Sequence, residues 1–88
     1  MRKIWDDKAW ETYVAIQSTD KKRLKKINDL LKSAERDGEG NGLGNPEPLK
    51  GDLSCWWSRK INKKDRLVYK IENDAIIIEQ CETHYDEY

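Results

Sequence analysis

The chain has 88 residues, with 17 Lys and Arg against 17 Asp and Glu, so its formal net charge is zero. That length suits one small domain and excludes a multidomain enzyme. Charged residues make up 39% of it, yet four Trp and four Tyr supply the large buried areas that a disordered tail lacks.

In chain order, residues 2–5 read as a short first strand. Asp6 then reads as an N-cap, and Asp7 adds negative charge to the first helical turn. Ala9, Trp10, Tyr13, Val14 and Gln17 recur at helical spacing and predict a first helix over 7–17. Ser18, Thr19 and Asp20 break it and cap a second helix over 21–35, whose apolar stripe is Leu24, Ile27, Leu31 and Ala34, widened by Leu30. Asp37-Gly38 ends it. Residues 37–52 form a long loop rich in Gly, Asn and Pro, and long loops in small domains are often functional. Three strand-like runs follow, over 53–61, 66–72 and 75–82, with Asn62 to Asp65 joining the first two and Asn73-Asp74 making a two-residue hairpin turn. The last run is the most continuously apolar, as an inner strand is. The expected fold is α+β: strand, two helices, then a three-stranded antiparallel run, with both helices on one face of a twisted sheet.

The charges are not evenly mixed. Residues 21–36 hold seven basic and two acidic side chains, residues 50–70 again seven and two, and residues 79–88 four acids with no Lys or Arg. The basic segments suit tracking phosphates, and residues 21–36 also read as the solvated face of a helix. No apolar run approaches the roughly 20 residues of a membrane span, and the N-terminus turns charged at once, unlike a signal peptide. Cys55 and Cys81 form no C-x-x-C pair and no disulfide framework, which fits a reducing, cytoplasmic setting. Both lie in apolar runs, where a thiol packs rather than attacks.

The candidates for chemistry are few. Pro46 and Pro48 bracket Glu47 and stiffen its backbone, which serves a positioned carboxylate and an ordinary loop equally. If Leu67, Tyr69 and Ile71 face the helices, strand alternation turns Arg66 to the open face, and by the same parity Ile61 inward places Ser58 and Lys60 there. That face, beside a loop carrying Glu47 and Lys50, suits an anion and a plain solvated sheet equally. His84 is the only histidine, just past the last run. One His and scattered carboxylates give no metal-ligand spacing, so no metal or cofactor is expected, and no nucleophile elbow is present. What Glu, His and Arg together suit is RNA cleavage through the 2′-hydroxyl, which needs a base, an acid and a cation.

Several strings resemble one family. Gly44-Asn45-Pro46-Glu47-Pro48-Leu49-Lys50 resembles the G-x-P-E-x-L-K loop of YoeB-type toxins, a branch of the RelE/ParE superfamily. Trp57-Ser58-Arg59-Lys60-Ile61 and Asp65-Arg66-Leu67-Val68-Tyr69 resemble their W-S-R-R-I and H-R-L-V-Y strands, and His84-Tyr85 their terminal H-Y. Ile4-Trp5 and Thr19-Asp20-Lys21 also fit, so the resemblance spans nearly the whole chain. It implies a compact α+β fold and a metal-independent endoribonuclease that cuts mRNA in the ribosomal A site, beside 16S rRNA. It also implies a homodimer and a YefM-type antitoxin partner. By this resemblance Glu47 is the general base, His84 the general acid, Arg66 the transition-state cation and Tyr85 the aromatic that stacks on a base or supports the acid. Lys50 is the basic residue near the phosphate. Lys60 stands where the family has its second Arg, keeping charge without the bidentate fork, with Arg59 as the fallback. A second departure is Asp86-Glu87-Tyr88 after the H-Y pair: two carboxylates that raise the His84 pKa, or a harmless tail. The competing class is a binding-only toxin of similar fold, of the gyrase-poisoning kind, or an antitoxin-binding module; neither needs an acid–base pair.

Overall fold

A computed structural model describes residues 1–82 of the chain. Strand β1 (Arg2–Trp5) leads into helices α1 (Asp7–Ala15) and α2 (Lys21–Asp37); β2 (Glu47–Pro48), β3 (Trp57–Lys60), β4 (Arg66–Glu72) and β5 (Ala75–Gln80) follow. They form one five-stranded sheet in the order β1-β5-β4-β3-β2. The first strand pairs parallel to β5, Arg2 opposite Ala75 through Trp5 opposite Ile78, while all other pairs are antiparallel. The expected α+β class and helix order are therefore present, and β5 is an inner strand.

Local chemistry accounts for the elements. The Asp6 carboxylate caps α1 by accepting from the Lys8 N–H at 3.1 Å, and Asp20 caps α2 by accepting from Arg23 N–H at 3.1 Å. Gly38, at φ +98°, closes α2 with an N–H donated to the Ala34 carbonyl. Asn73 and Asp74 both have positive φ, 52° and 58°, as a type I′ hairpin turn requires. Ile27, Leu30, Leu31 and Ala34 of α2 pack on Leu67, Tyr69, Ile76 and Ile78 of the sheet, and this is the core.

Three expectations need correction. Residues 53–55 are not strand: Gly51–Leu53 is a 3₁₀ turn, and β3 starts only at Trp57. The loop after α2 contains β2, a two-residue edge strand. Its position explains why prolines are tolerated, since an edge needs no second row of donors. Finally, Trp10 and Val14 are half exposed, although both lie in the apolar pattern of α1. Ala9, Tyr13 and Ile16 form the inward stripe, and one residue further along the helix turns about 100° away from it. Trp10 instead stacks against Trp5 and Tyr13, with ring centroids 5.6 and 5.8 Å away.

Candidate functional site

Strand register decides which side chains share a face. Glu47 stands opposite Ser58, and Ser58 opposite Val68; two residues along, Lys60 stands opposite Arg66. All five therefore belong to the sheet face turned away from the helices. Glu47 and Lys60 are diagonal cross-strand neighbours, a spacing of about 7–8 Å that long side chains bridge. Arg59 opposite Leu67 and Trp57 opposite Tyr69 belong to the helix-side face.

The path to Glu47 is built with care. Gly44 at φ +82° and Asn45 at φ +53° swing the chain onto the sheet edge, and the Gly44 carbonyl accepts from the Lys60 N–H at 2.7 Å. A Cβ on Gly44 would stand 2.5 Å from Leu30 Cδ2, so only glycine fits. Past Glu47, buried Leu49 anchors the strand, its N–H donating to the Trp56 carbonyl at 2.9 Å. Lys50 then emerges exposed beside the edge strand.

Arg66 is nearly buried, and its Nη1 donates to the carbonyls of Asn62, Asp65 and Lys63 at 2.8, 3.1 and 3.3 Å. One arm of the guanidinium thus closes the 62–65 turn and fixes the plane of the group. A cleft of about 440 Å³ opens here, lined by Arg66, Lys60, Lys63 and Lys26 together with Gly44, Asn45, Ile61 and Asn62. Among the described residues its lining carries four cationic side chains and no carboxylate, which favours an anion. A larger concavity of about 550 Å³ continues along α2 past Lys22 and Lys25, but Asp20 and Asp29 moderate its charge.

Arg59 is a correction. It was expected to contact substrate; instead its side chain is fully buried on the helix side. Its guanidinium donates to the carbonyls of Gly38, Asn41 and Leu43 at 2.8, 2.6 and 2.8 Å, to Ser33 Oγ at 3.2 Å and to the Tyr69 hydroxyl at 2.8 Å. The Tyr69 hydroxyl in turn donates to the Glu39 carbonyl. Arg59 and Tyr69 thus hold the loop after α2 onto the sheet, and the loop carries Glu47. Burial pushes the Tyr69 hydroxyl pKa above its ordinary value, with the neighbouring Arg59 partly offsetting it. The site residues that sequence reading missed are these anchors: Ser33, Tyr69, and Glu39, whose carboxylate accepts from the Ile71 N–H at 2.7 Å. A tyrosine inside an apolar strand was the available signal, because a buried hydroxyl needs a partner.

His84 and Tyr85 lie outside the described residues, as does the Asp86-Glu87-Tyr88 extension. Cys81 is buried with its thiol pushed up to about 11, chiefly by desolvation, which suits packing and not nucleophilic attack. Among the described residues no group of His, Cys, Asp and Glu is placed to hold a metal ion, and no helix is long and apolar enough to cross a membrane.

Residues 5–85 match the model of the YoeB-like toxins of bacterial type II toxin–antitoxin systems. The chain belongs to that family. It is 45% identical to the toxin YoeB of Escherichia coli K12, over 97% of this chain and all of the relative. The toxin in a YoeB–YefM complex from Staphylococcus aureus superposes with a TM-score of 0.91 at 42% identity, covering 97% of this chain and 98% of that one. A YoeB dimer from the same organism superposes equally well, at 44% identity and the same coverage.

Proposed function

We propose that the protein is a metal-independent endoribonuclease that cleaves mRNA in the ribosomal A site and so arrests translation in the cytoplasm. The observation that carries this reading is the juxtaposition of one carboxylate, Glu47, with Arg66 and Lys60 on one sheet face, beside a cleft whose charged lining residues, among those described, are all cationic.

In the proposed reaction Glu47 removes the proton from a ribose 2′-hydroxyl, and the 2′-oxygen attacks the adjacent phosphorus. Negative charge on the phosphorane is met by Arg66, with Lys60 and Lys50 holding the flanking phosphates. His84 protonates the departing 5′-oxygen, leaving a 2′,3′-cyclic phosphate and a free 5′-hydroxyl. The nucleophile is intramolecular, so positioning supplies much of the rate. Tyr85 stacks on the base at the cut or supports the acid. The ribosome presents the strand, and the cationic lining addresses mRNA and 16S rRNA backbones.

Two partners belong to the same proposal. A YefM-type antitoxin silences the toxin, laying an acidic, amphipathic segment against the basic surface, as the family and the Staphylococcus aureus complex suggest. A second copy of the chain covers Trp10, Val14 and Ile4, large apolar side chains left 41–49% exposed.

The test uses ribosomes programmed with a defined mRNA, and reads the termini of any product. Cyclic phosphate and 5′-hydroxyl ends from wild type, absent with Glu47→Ala, support the mechanism. Growth arrest with intact mRNA but broken DNA would replace it with a gyrase-type, protein-binding toxin.

A further inference from the structure

Arg23 is the third residue of α2, and its side chain leaves the helix toward the sheet. Its Nη2 donates to the Cys81 carbonyl at 2.9 Å, where the chain leaves β5. Its Nε lies 3.5 Å from Asp65 Oδ2, and the two side chains are only 16% and 9% exposed. The same carboxylate oxygen accepts from Asn62 Nδ2 at 2.8 Å, and Asn62 Oδ1 accepts from the N–H groups of Lys64 and Asp65 at 2.9 and 2.8 Å. This is the turn whose carbonyls hold the Arg66 guanidinium. The Arg66 N–H closes the circuit by donating to the Glu82 carbonyl at 2.8 Å. A single arginine on α2 therefore touches both supports of Arg66: the turn before it and the strand end beside it.

The ion pair is poorly made for stability. Among the described residues the buried Arg23 Nε has no hydrogen-bond partner, although Asp65 Oδ2 lies 3.5 Å away. A buried pair of that geometry returns little of its desolvation cost. What it does supply is location.

We infer that Arg23 and Asp65 are a positioning pair that sets the Arg66 guanidinium for the reacting phosphate. The inference rests on the nuclease reading above. A displacement of about 1 Å in such a group costs up to roughly a hundredfold in rate.

The test compares Arg23→Met, Asp65→Asn and the double variant with wild type, all confirmed folded by circular dichroism. In single-turnover cleavage on programmed ribosomes, each is expected to be roughly tenfold or more slower with unchanged ribosome affinity. The double variant is expected to be no slower than the worse single one, yet close to wild type in unfolding free energy, because it leaves no orphaned charge. A double variant with the wild-type rate, additive losses, or a loss in affinity alone would overturn the pairing. If wild type itself cuts nothing, the nuclease reading fails on its own. The pair is then judged by the Arg66 Nε–H resonance in the double variant: a shift sustains it, and an unmoved signal overturns it.

Discussion

Arg59 donates from Nε, Nη1 and Nη2 to the Tyr69 hydroxyl, Ser33 Oγ and the carbonyls of Gly38, Asn41 and Leu43. Replacing it by Met is expected to cost about 3 kcal/mol or more in denaturant unfolding, because each hydrogen bond made by a charged group contributes roughly 1.5–3 kcal/mol. A loss under about 0.5 kcal/mol, the scale of surface changes, would show that the loop does not depend on it. Tyr69 titrates in the same network. Its folded-state pKa is raised by burial, so its stabilising contribution is complete below the ordinary tyrosine value of 10.0 and is lost as pH rises through the folded value. Unfolding free energy is expected to fall more steeply above pH ~10 in wild type than in Tyr69→Phe; parallel curves would contradict the burial of a neutral hydroxyl. Parity along β3 already separated Lys60 from Arg59 in the sequence. The motif resemblance grouped them, and parity was the better guide, because a one-residue step crosses the sheet. What parity could not reveal was that the inward arginine has carbonyls waiting for it, since those come from a loop many residues away.

The elements were legible to different degrees, for physical reasons. The two helices and the Asn73-Asp74 hairpin carry their own local signals: caps, period and turn residues. The β1–β5 parallel pair and β2 carry none, because their hydrogen bonds run to residues distant in sequence. The loop after α2 shows what such an element depends on. Gly44→Ala forces a side chain into Leu30 and Arg59 at a positive φ. It is expected to cost about 1–3 kcal/mol and to slow cleavage by misplacing Glu47, while unfolding remains one cooperative transition. Measured stability and rate both equal to wild type would mean that the loop adapts and that Glu47 is not held by it.

At the scale of the molecule, neutrality conceals a division of labour. Cations line the cleft beside Arg66, while the opposite end of the sheet, around β1 and α1, exposes Ile4, Trp10 and Val14. Trp10→Glu is expected to convert a dimer to a monomer in light scattering while retaining cleavage, because this end is far from the Glu47 edge in strand order. An unchanged dimer would place the contact elsewhere. The sheet face of Glu47, Lys60 and Arg66 was open to two readings from alternation alone, and became a candidate site only when register brought the three together. His84 and Tyr85 rest on the motif resemblance. The decisive measurement is 5′-end mapping of one mRNA in a translating extract with wild type, Glu47→Ala, Arg66→Ala and His84→Ala, each shown to bind antitoxin. The expected result is a cut inside the A-site codon from wild type alone. Ribosome-dependent cutting by all four would remove these residues from the chemistry, and no cutting by wild type despite growth arrest would contradict the nuclease itself.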